Sequence, residues 1–404
     1  MRILFVTGGS PATVFAVAPL AVQARLSGHD VLVATTEEMA PFVTSVGLPA
    51  VPVTDGTMLR FMFHDRDGQP LDLPADPEER LFFNGRGFGR LATASLPGLR
   101  VLAAEWPPDL VVGGSLCYAA PLLAAELGIP SVRHTWDLGE PPGIDQGADA
   151  ELAPELRLLG LDGVPSTDLW VDICPPSLRD PAPGPRQDMR FVPYNEQRAL
   201  EPWTYRRGPR PRVCVTAGSR VSQDEEVAYL RELVDSIAGL DVEVAVAAPQ
   251  AVAERLRADL PGVRAGWLPL DTLLTTCDLI VHHGGGQTAL NALNAGVPQL
   301  LIPNIPKMFP PCDRIAAHGS AITLKPGEQH RDRLREAAQE LLYTPSYRDR
   351  SRSVRAEIAV QPSPTEVVGA LQALVDTHAA GADGGCAGEV GQVIADPMGT
   401  EGAA

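Results

Sequence analysis

Residues 278–292 read DLIVHHGGGQTALNA. The stretch opens on an apolar run of strand length and closes on residues 288–293, which have helical spacing. His282, His283, Gly284, Gly285 and Gly286 form the joint. A strand that turns through glycine straight into a helix is half of a βαβ unit. Similar units lie on both sides. Strands at 213–216, 242–247 and 263–267 alternate with helices at 225–238, 251–258 and 270–275. Strands at 299–302 and 321–324 follow, then helices at 332–343, 346–360 and 365–375. The beginning of the chain repeats the pattern: a strand at 2–6 (RILFV), a helix at 16–26 stopped by Gly28, and a strand at 31–34. Further apolar runs at 110–112, 131–133 and 169–173 continue a parallel sheet. The predicted fold class is α/β, with two Rossmann-like doubly wound domains facing across a cleft. Open parallel sheets bind ligands at the carboxyl ends of their strands, so both can serve that cleft.

A polar, Pro-rich and locally basic segment, NEQRALEPWTYRRGPRP, separates the two series and reads as an exposed linker. The expected division is an N-terminal domain over 1–195, a linker over 196–211, a second domain over 212–360 and a terminal helix over 361–378. The Gly/Ala-rich tail 379–404 is expected to be disordered. Residues 57–83 and 139–163 are polar, Gly/Pro-bearing and longer than ordinary connections, so both are expected to be binding loops or mobile lids.

Composition narrows the partners. The chain has 404 residues, 45% of them apolar, against about 150 residues for a typical domain. Its net charge of −17 disfavours a nucleic-acid backbone or an anionic membrane, since the summed field repels both. A small anion held at one local site is unaffected by that argument. Six cysteines at uneven gaps, with no CxxC, read as reduced thiols rather than a disulfide frame or a zinc site. The apolar run at 14–22 falls short of the roughly 20 residues a spanning helix needs. A cytoplasmic protein is expected.

The glycine joint is the strongest site candidate. Glycines allow close backbone approach, and a helix start offers unpaired N–H groups and a positive dipole end to a diphosphate. His283 can donate to a phosphoryl oxygen, and Thr288 adds a hydroxyl. The other reading is a tight turn whose histidines are satisfied by protein. Residues 216–219 (TAGS) make a second turn after a strand, and residues 266–269 (GWLP) a third. Trp267 is either support for an aromatic base or an ordinary core indole. The first βα turn, Thr7-Gly8-Gly9-Ser10-Pro11, lacks the GxGxxG of a dehydrogenase, and no Walker A lysine follows the second joint.

Taken together, the PLA and GHDV segments of the first unit, CPPSL at 174–178, MRFVPYN at 189–195, RVCVTAGS, GWLPLDTL, the 278–301 stretch and residues 345–368 resemble a family. The chain is similar, over about residues 1–378, to the GT-B family 1 glycosyltransferases of actinomycete antibiotic pathways, which move deoxysugars from dTDP-sugars onto polyketides and peptides. The resemblance implies that His283, Gly284, Gly285, Gly286 and Thr288 hold the donor diphosphate. It assigns Trp267 and Leu268 to the nucleobase, and Gly218 and Ser219 to the loop lining the diphosphate and base. The N-terminal half would take the aglycone. The partners implied are a nucleotide-sugar and a small-molecule acceptor. A second copy or a pathway helper protein stays open. No cofactor beyond the dTDP-sugar is implied, and no metal is needed where the helix start and His283 neutralise the leaving group.

Three departures from the family pattern stand out. Thr13 occupies the position of the usual general-base histidine, and a hydroxyl is no base near neutral pH. Gln287 replaces the last glycine of the diphosphate turn, where its amide can bond a phosphate or a sugar hydroxyl. Lys307 and Met308 stand where an acidic residue and Gln usually grip sugar hydroxyls. Lys307 is left with the diphosphate, an acidic ligand or a plain cleft-edge role, and Asn304 or Asp313 with the sugar. For the missing base the candidates are His134, with Asp137 orienting or substituting for it, and His64. An acceptor that needs little deprotonation is the other route. Asp65-Arg66-Asp67 has metal-like spacing but sits in a polar loop far from the phosphate turn, and His29 reads as a helix-end cap. The expected reaction is transfer of a sugar with inversion. The alternatives are a non-catalytic partner protein of this fold, or a repurposed enzyme acting on the aglycone.

Overall fold

Short β-branched runs form two wholly parallel sheets in the computed structural model, which describes residues 1–179, 184–218 and 223–385. The first sheet contains β1 (Arg2–Val6), β2 (Asp30–Thr36), β3 (Ala50–Thr54), β4 (Leu110–Gly114), β5 (Ser131–His134), β6 (Leu169–Asp172) and β7 (Arg186–Asp188). Its order is β3-β2-β1-β4-β5-β6-β7. The second contains β8 (Arg212–Thr216), β9 (Glu243–Ala247), β10 (Arg264–Gly266), β11 (Leu279–His282), β12 (Gln299–Leu301) and β13 (Ala321–Thr323), in the order β10-β9-β8-β11-β12-β13. Each sheet reverses its winding once, between β1 and β4 and between β8 and β11. A crevice opens at such a switch point, beyond the carboxyl ends of the strands. In the second sheet that point is where the 216–218 and 282–286 turns leave β8 and β11. Their register pairs Thr216 with His282, so the two turns start side by side.

Apolar strands and helix faces build the cores. Ile3, Leu4, Phe5, Leu110, Val111 and Val112 are fully buried in the first sheet, and Val213, Val215, Leu279 and Val281 are sealed in the second. The last helix, Pro364–Gly385, returns to the first domain. Val367, Val368 and Leu371 join the same apolar cluster as Val17 and Leu20 of the helix Pro11–Leu26, and Arg190 N donates to Pro362 O at 2.7 Å. That helix runs to Gly385, into the start of the expected tail. Residues 386–404, with Cys386, lie outside the described residues. The five described cysteines are buried and unbonded.

The two expected loops contain helices. Residues 57–83 hold Met58–Phe63 and the start of the helix Pro77–Glu105, while residues 139–163 hold Pro142–Leu159. The reason lies in their glycines. A methyl group on Gly85 would overlap Ile144 O, and one on Gly147 would overlap Phe82 O. These glycines let two helices cross at backbone distance, a use that local sequence does not distinguish from a turn. Strands β3 and β7 also escaped the sequence reading. β3 carries no fully buried residue and contains Pro52, and β7 is Arg-Gln-Asp. Neither shows the apolar run on which the other strands were found.

Candidate functional site

The turn after β11 is shaped by two adjacent histidines with opposite tasks. Successive side chains of a strand point to opposite faces. His282 points inward and is fully buried. Its Nε2 lies 2.9 Å from Gln299 Oε1 and its Nδ1 accepts from Gly284 N at 3.2 Å, which sets the proton on Nε2. Burial, with the neighbouring His283 as a second cause, pushes the His282 pKa down to about 3. The bond to Gly284 holds that residue at φ +81°, where a side chain would be strained, and a methyl there would lie 2.6 Å from Cys312 Sγ. His283 turns the other way, into a slot between two glycines. A methyl on Gly218 (φ +81°) would overlap its ring, and one on Gly285 would come within 2.5 Å of Nε2. Both glycines are needed for the imidazole to stand between the two switch-point turns.

The helix Gly286–Ala295 begins at once. Its first internal bond runs from Ala289 N to Gly285 O at 2.9 Å, so the amides of Gly286, Gln287 and Thr288 have no acceptor within the helix. These residues are half-buried and carry the positive end of the helix dipole. The first domain supplies what lies against them. Asp137 follows the end of β5, and its carboxylate abuts Gly286 so closely that a methyl there would overlap it. Gln287 Nε2 donates to Trp136 O. Lys307 Nζ lies 3.4 Å from the Glu140 carboxylate, and Arg314 donates to the carbonyls of Leu178 (2.8 Å) and Leu138 (2.5 Å). Four bridges thus join the 136–140 segment and Leu178 to the second domain. On the far side, Trp267 follows β10. Its Nε1 donates to Glu196 O at 3.1 Å and the Arg198 guanidinium covers its ring at 5.5 Å, with half-buried Leu268 beside it.

The erythromycin biosynthesis protein CIII-like N-terminal domain model matches residues 84–218, and the C-terminal domain model matches residues 231–374. The L-demethylnoviosyl transferase of Streptomyces niveus is 34% identical over 376 residues, covering 92% of this chain and 98% of that protein. The chain belongs to the CIII-like family of GT-B glycosyltransferases. Among solved structures, the Streptomyces sp. SF2575 glycosyltransferase SsfS6 complexed with thymidine diphosphate superposes with a TM-score of 0.83 at 34% identity, covering 92% of this chain and 99% of that one. The spinosyn rhamnosyltransferase SpnG complexed with spinosyn aglycone gives 0.79 at 27% identity, covering 92% and 100%.

In this CIII-like glycosyltransferase the expected site residues divide clearly. Gly218, His283, Gly284, Gly285, Gly286, Gln287 and Thr288 converge at the switch point of the second sheet, and Trp267 and Leu268 follow its edge strand. Ser219 lies outside the described residues. Thr13 is buried and committed to its own loop, its Oγ1 lying 2.5 Å from Gly8 O and 2.7 Å from Ser10 O. His134 is fully buried at the end of β5, with Nδ1 2.7 Å from Thr135 O, and burial lowers its pKa to about 4. Lys307 is paired with Glu140, and Asp313 with Lys325 at 2.8 Å. His64 is half-buried in a bridge to Pro70. Asp65 Oδ1 accepts from the amides of Asp67 and Gln69, and no group of His, Cys, Asp and Glu arranged for a metal occurs among the described residues. Among the described residues, no helix is long and apolar enough to cross a membrane.

The sequence reading missed His282 with Gln299, and the contact of Asp137 with Gly286. The alternation of strand side chains was a usable signal for the first. The second joins residues 149 positions apart and left no local trace.

Proposed function

We propose that this chain is a cytoplasmic inverting glycosyltransferase. It moves a deoxysugar from a dTDP-sugar onto a polyketide, peptide or aromatic natural-product acceptor. Residues 1–195 take the acceptor, 196–211 link, 212–360 take the donor, and the helix after residue 361 braces the two. The observation that carries this reading is the helix start at Gly286, whose first three amides have no acceptor within the helix, with His283 beside it.

In the proposed reaction the acceptor atom attacks the anomeric carbon. The bond from that carbon to the diphosphate oxygen breaks, and the electron pair leaves with the diphosphate. The amides of Gly286, Gln287 and Thr288 and the His283 imidazole stabilise that charge. A single displacement inverts the carbon. Asp137 is the acid–base group that faces the turn from the acceptor side, and it receives the acceptor's proton. The relatives support the donor and acceptor classes: one is a demethylnoviosyl transferase, one binds thymidine diphosphate, and one binds a spinosyn aglycone.

The test is turnover of a dTDP-deoxysugar with a panel of aromatic polyketide acceptors, in wild type and Asp137→Asn. The substitution should lower kcat by about 10²–10⁴-fold, the usual worth of a general base. Affinity for dTDP should stay the same or rise, because a carboxylate leaves the neighbourhood of the diphosphate. Full activity in Asp137→Asn would remove Asp137 from the mechanism. Tight dTDP binding with no turnover on any donor and acceptor would instead assign the chain to a non-catalytic partner role, the reading favoured by the committed Thr13 and the buried His134.

A further inference from the structure

A second cavity, of about 370 Å³, lies behind the second sheet. Asp278 and Pro298 on its wall precede β11 and β12, so it opens at the amino ends of the strands, opposite the cleft. Arg207, Arg348, Arg352 and Arg355 line it, against the carboxylates of Asp271 and Asp278. Asp278 is already neutralised, by Arg348 at 2.7 Å and Arg207 at 3.0 Å. Arg352 and Arg355 have no acidic or hydrogen-bonding partner among the described residues. Their stems pack on Gly296, where a methyl would lie 3.3 Å from Arg352 Cγ and 3.4 Å from Arg355 Cδ. Two exposed, unpaired guanidinium groups are thus held over one cavity in a chain of net charge −17.

Asn291 also lines the cavity and is only 7% exposed. Its Nδ2 donates to Gln287 O at 2.8 Å, while its Oδ1 is buried without a partner. The wall therefore asks for a ligand with anionic oxygens for the arginines. Guanidinium pairs match phosphoryl oxygens in geometry as well as charge.

We propose that this cavity is a second anion site, for a phosphoryl group such as that of inorganic phosphate or a sugar phosphate. It is separate from the donor site and shares only the helix Gly286–Ala295 with it. The test is thermal melting of the full chain in saturating dTDP, titrated with millimolar potassium phosphate or glucose 1-phosphate. Potassium chloride at matched ionic strength is the control. The melting temperature should rise with either phosphate beyond the chloride control. A larger rise with glucose 1-phosphate assigns the site to sugar phosphates, and an equal rise to the phosphoryl group itself. In the double variant Arg352→Ala/Arg355→Ala the apparent Kd should weaken by roughly tenfold or more, as expected for the loss of charge-assisted bonds. The shift caused by dTDP alone should be kept, and its separate readout distinguishes failure of this site from failure of the donor site. No rise in wild type, or an undiminished rise in the double variant, overturns the proposal.

Discussion

His282 and His283 are neighbours with the same side chain, and burial alone separates their work. His282 keeps its proton on Nε2 and offers Nδ1 to Gly284 N, so a second proton would break the bond that shapes the turn. Its folded pKa of about 3 lies below the roughly 6.5 of an unfolded histidine. Between those values the unfolded chain binds a proton that the folded chain does not. Stability therefore falls as pH is lowered through that window, by up to about 1.4 kcal/mol per pH unit for one such group. His134 acts in the same direction down to about 4. In His282→Asn the melting temperature should be lower at pH 7 yet decline less steeply between pH 7 and 5; an unchanged slope would clear His282 of the effect. Thr13 is a residue whose position suggested chemistry and whose bonds show architecture. Thr13→Ala should cost about 1 kcal/mol in urea unfolding, the worth of a buried hydrogen bond, and change kcat by less than about tenfold. A far larger loss of kcat with unchanged stability would return Thr13 to the reaction. The motif was legible in the sequence at this scale. Its division of labour was not, because spacing says nothing of which ring nitrogen meets which partner.

Elements were legible where one physical signal dominated. The buried strands showed unbroken apolar runs, and the first helix showed its end at Gly28, which lies in the left-handed region. The helix pair Pro77–Glu105 and Pro142–Leu159 was read as loop because Gly85 and Gly147 carry two meanings, and only the partner helix decides between them. Proline misled in the same way. Pro77 and Pro142 stand at helix starts, where a missing N–H costs nothing. Gly147→Ala should destabilise by roughly 1–3 kcal/mol, the range for overpacking a close contact. Its urea midpoint is the measurement. A midpoint equal to wild type would mean that the two helices part without cost.

At the scale of the whole molecule, two sheets wound alike bring their switch points to one cleft, and the chain crosses it twice more. The linker crosses once, and the final helix returns to the apolar cluster of the first domain. This two-sheet plan was legible early, since it needs only the alternation of strands and helices. The bridges across the cleft were not. Gln287 to Trp136, Lys307 to Glu140 and Arg314 to Leu138 and Leu178 each join residues more than a hundred positions apart. They account for two of the three departures from the family pattern, and local bonds account for the third. Gln287 and Lys307 are engaged by the opposite domain, and Thr13 closes its own loop. On the proposed function, the diphosphate is left with backbone amides and His283. The most direct measurement is calorimetric binding of dTDP and of thymidine to wild type and His283→Ala. Loss of a charge-assisted donor should weaken dTDP by roughly tenfold or more and leave thymidine within about twofold. Equal weakening of both ligands, or of neither, would contradict a diphosphate held at this turn.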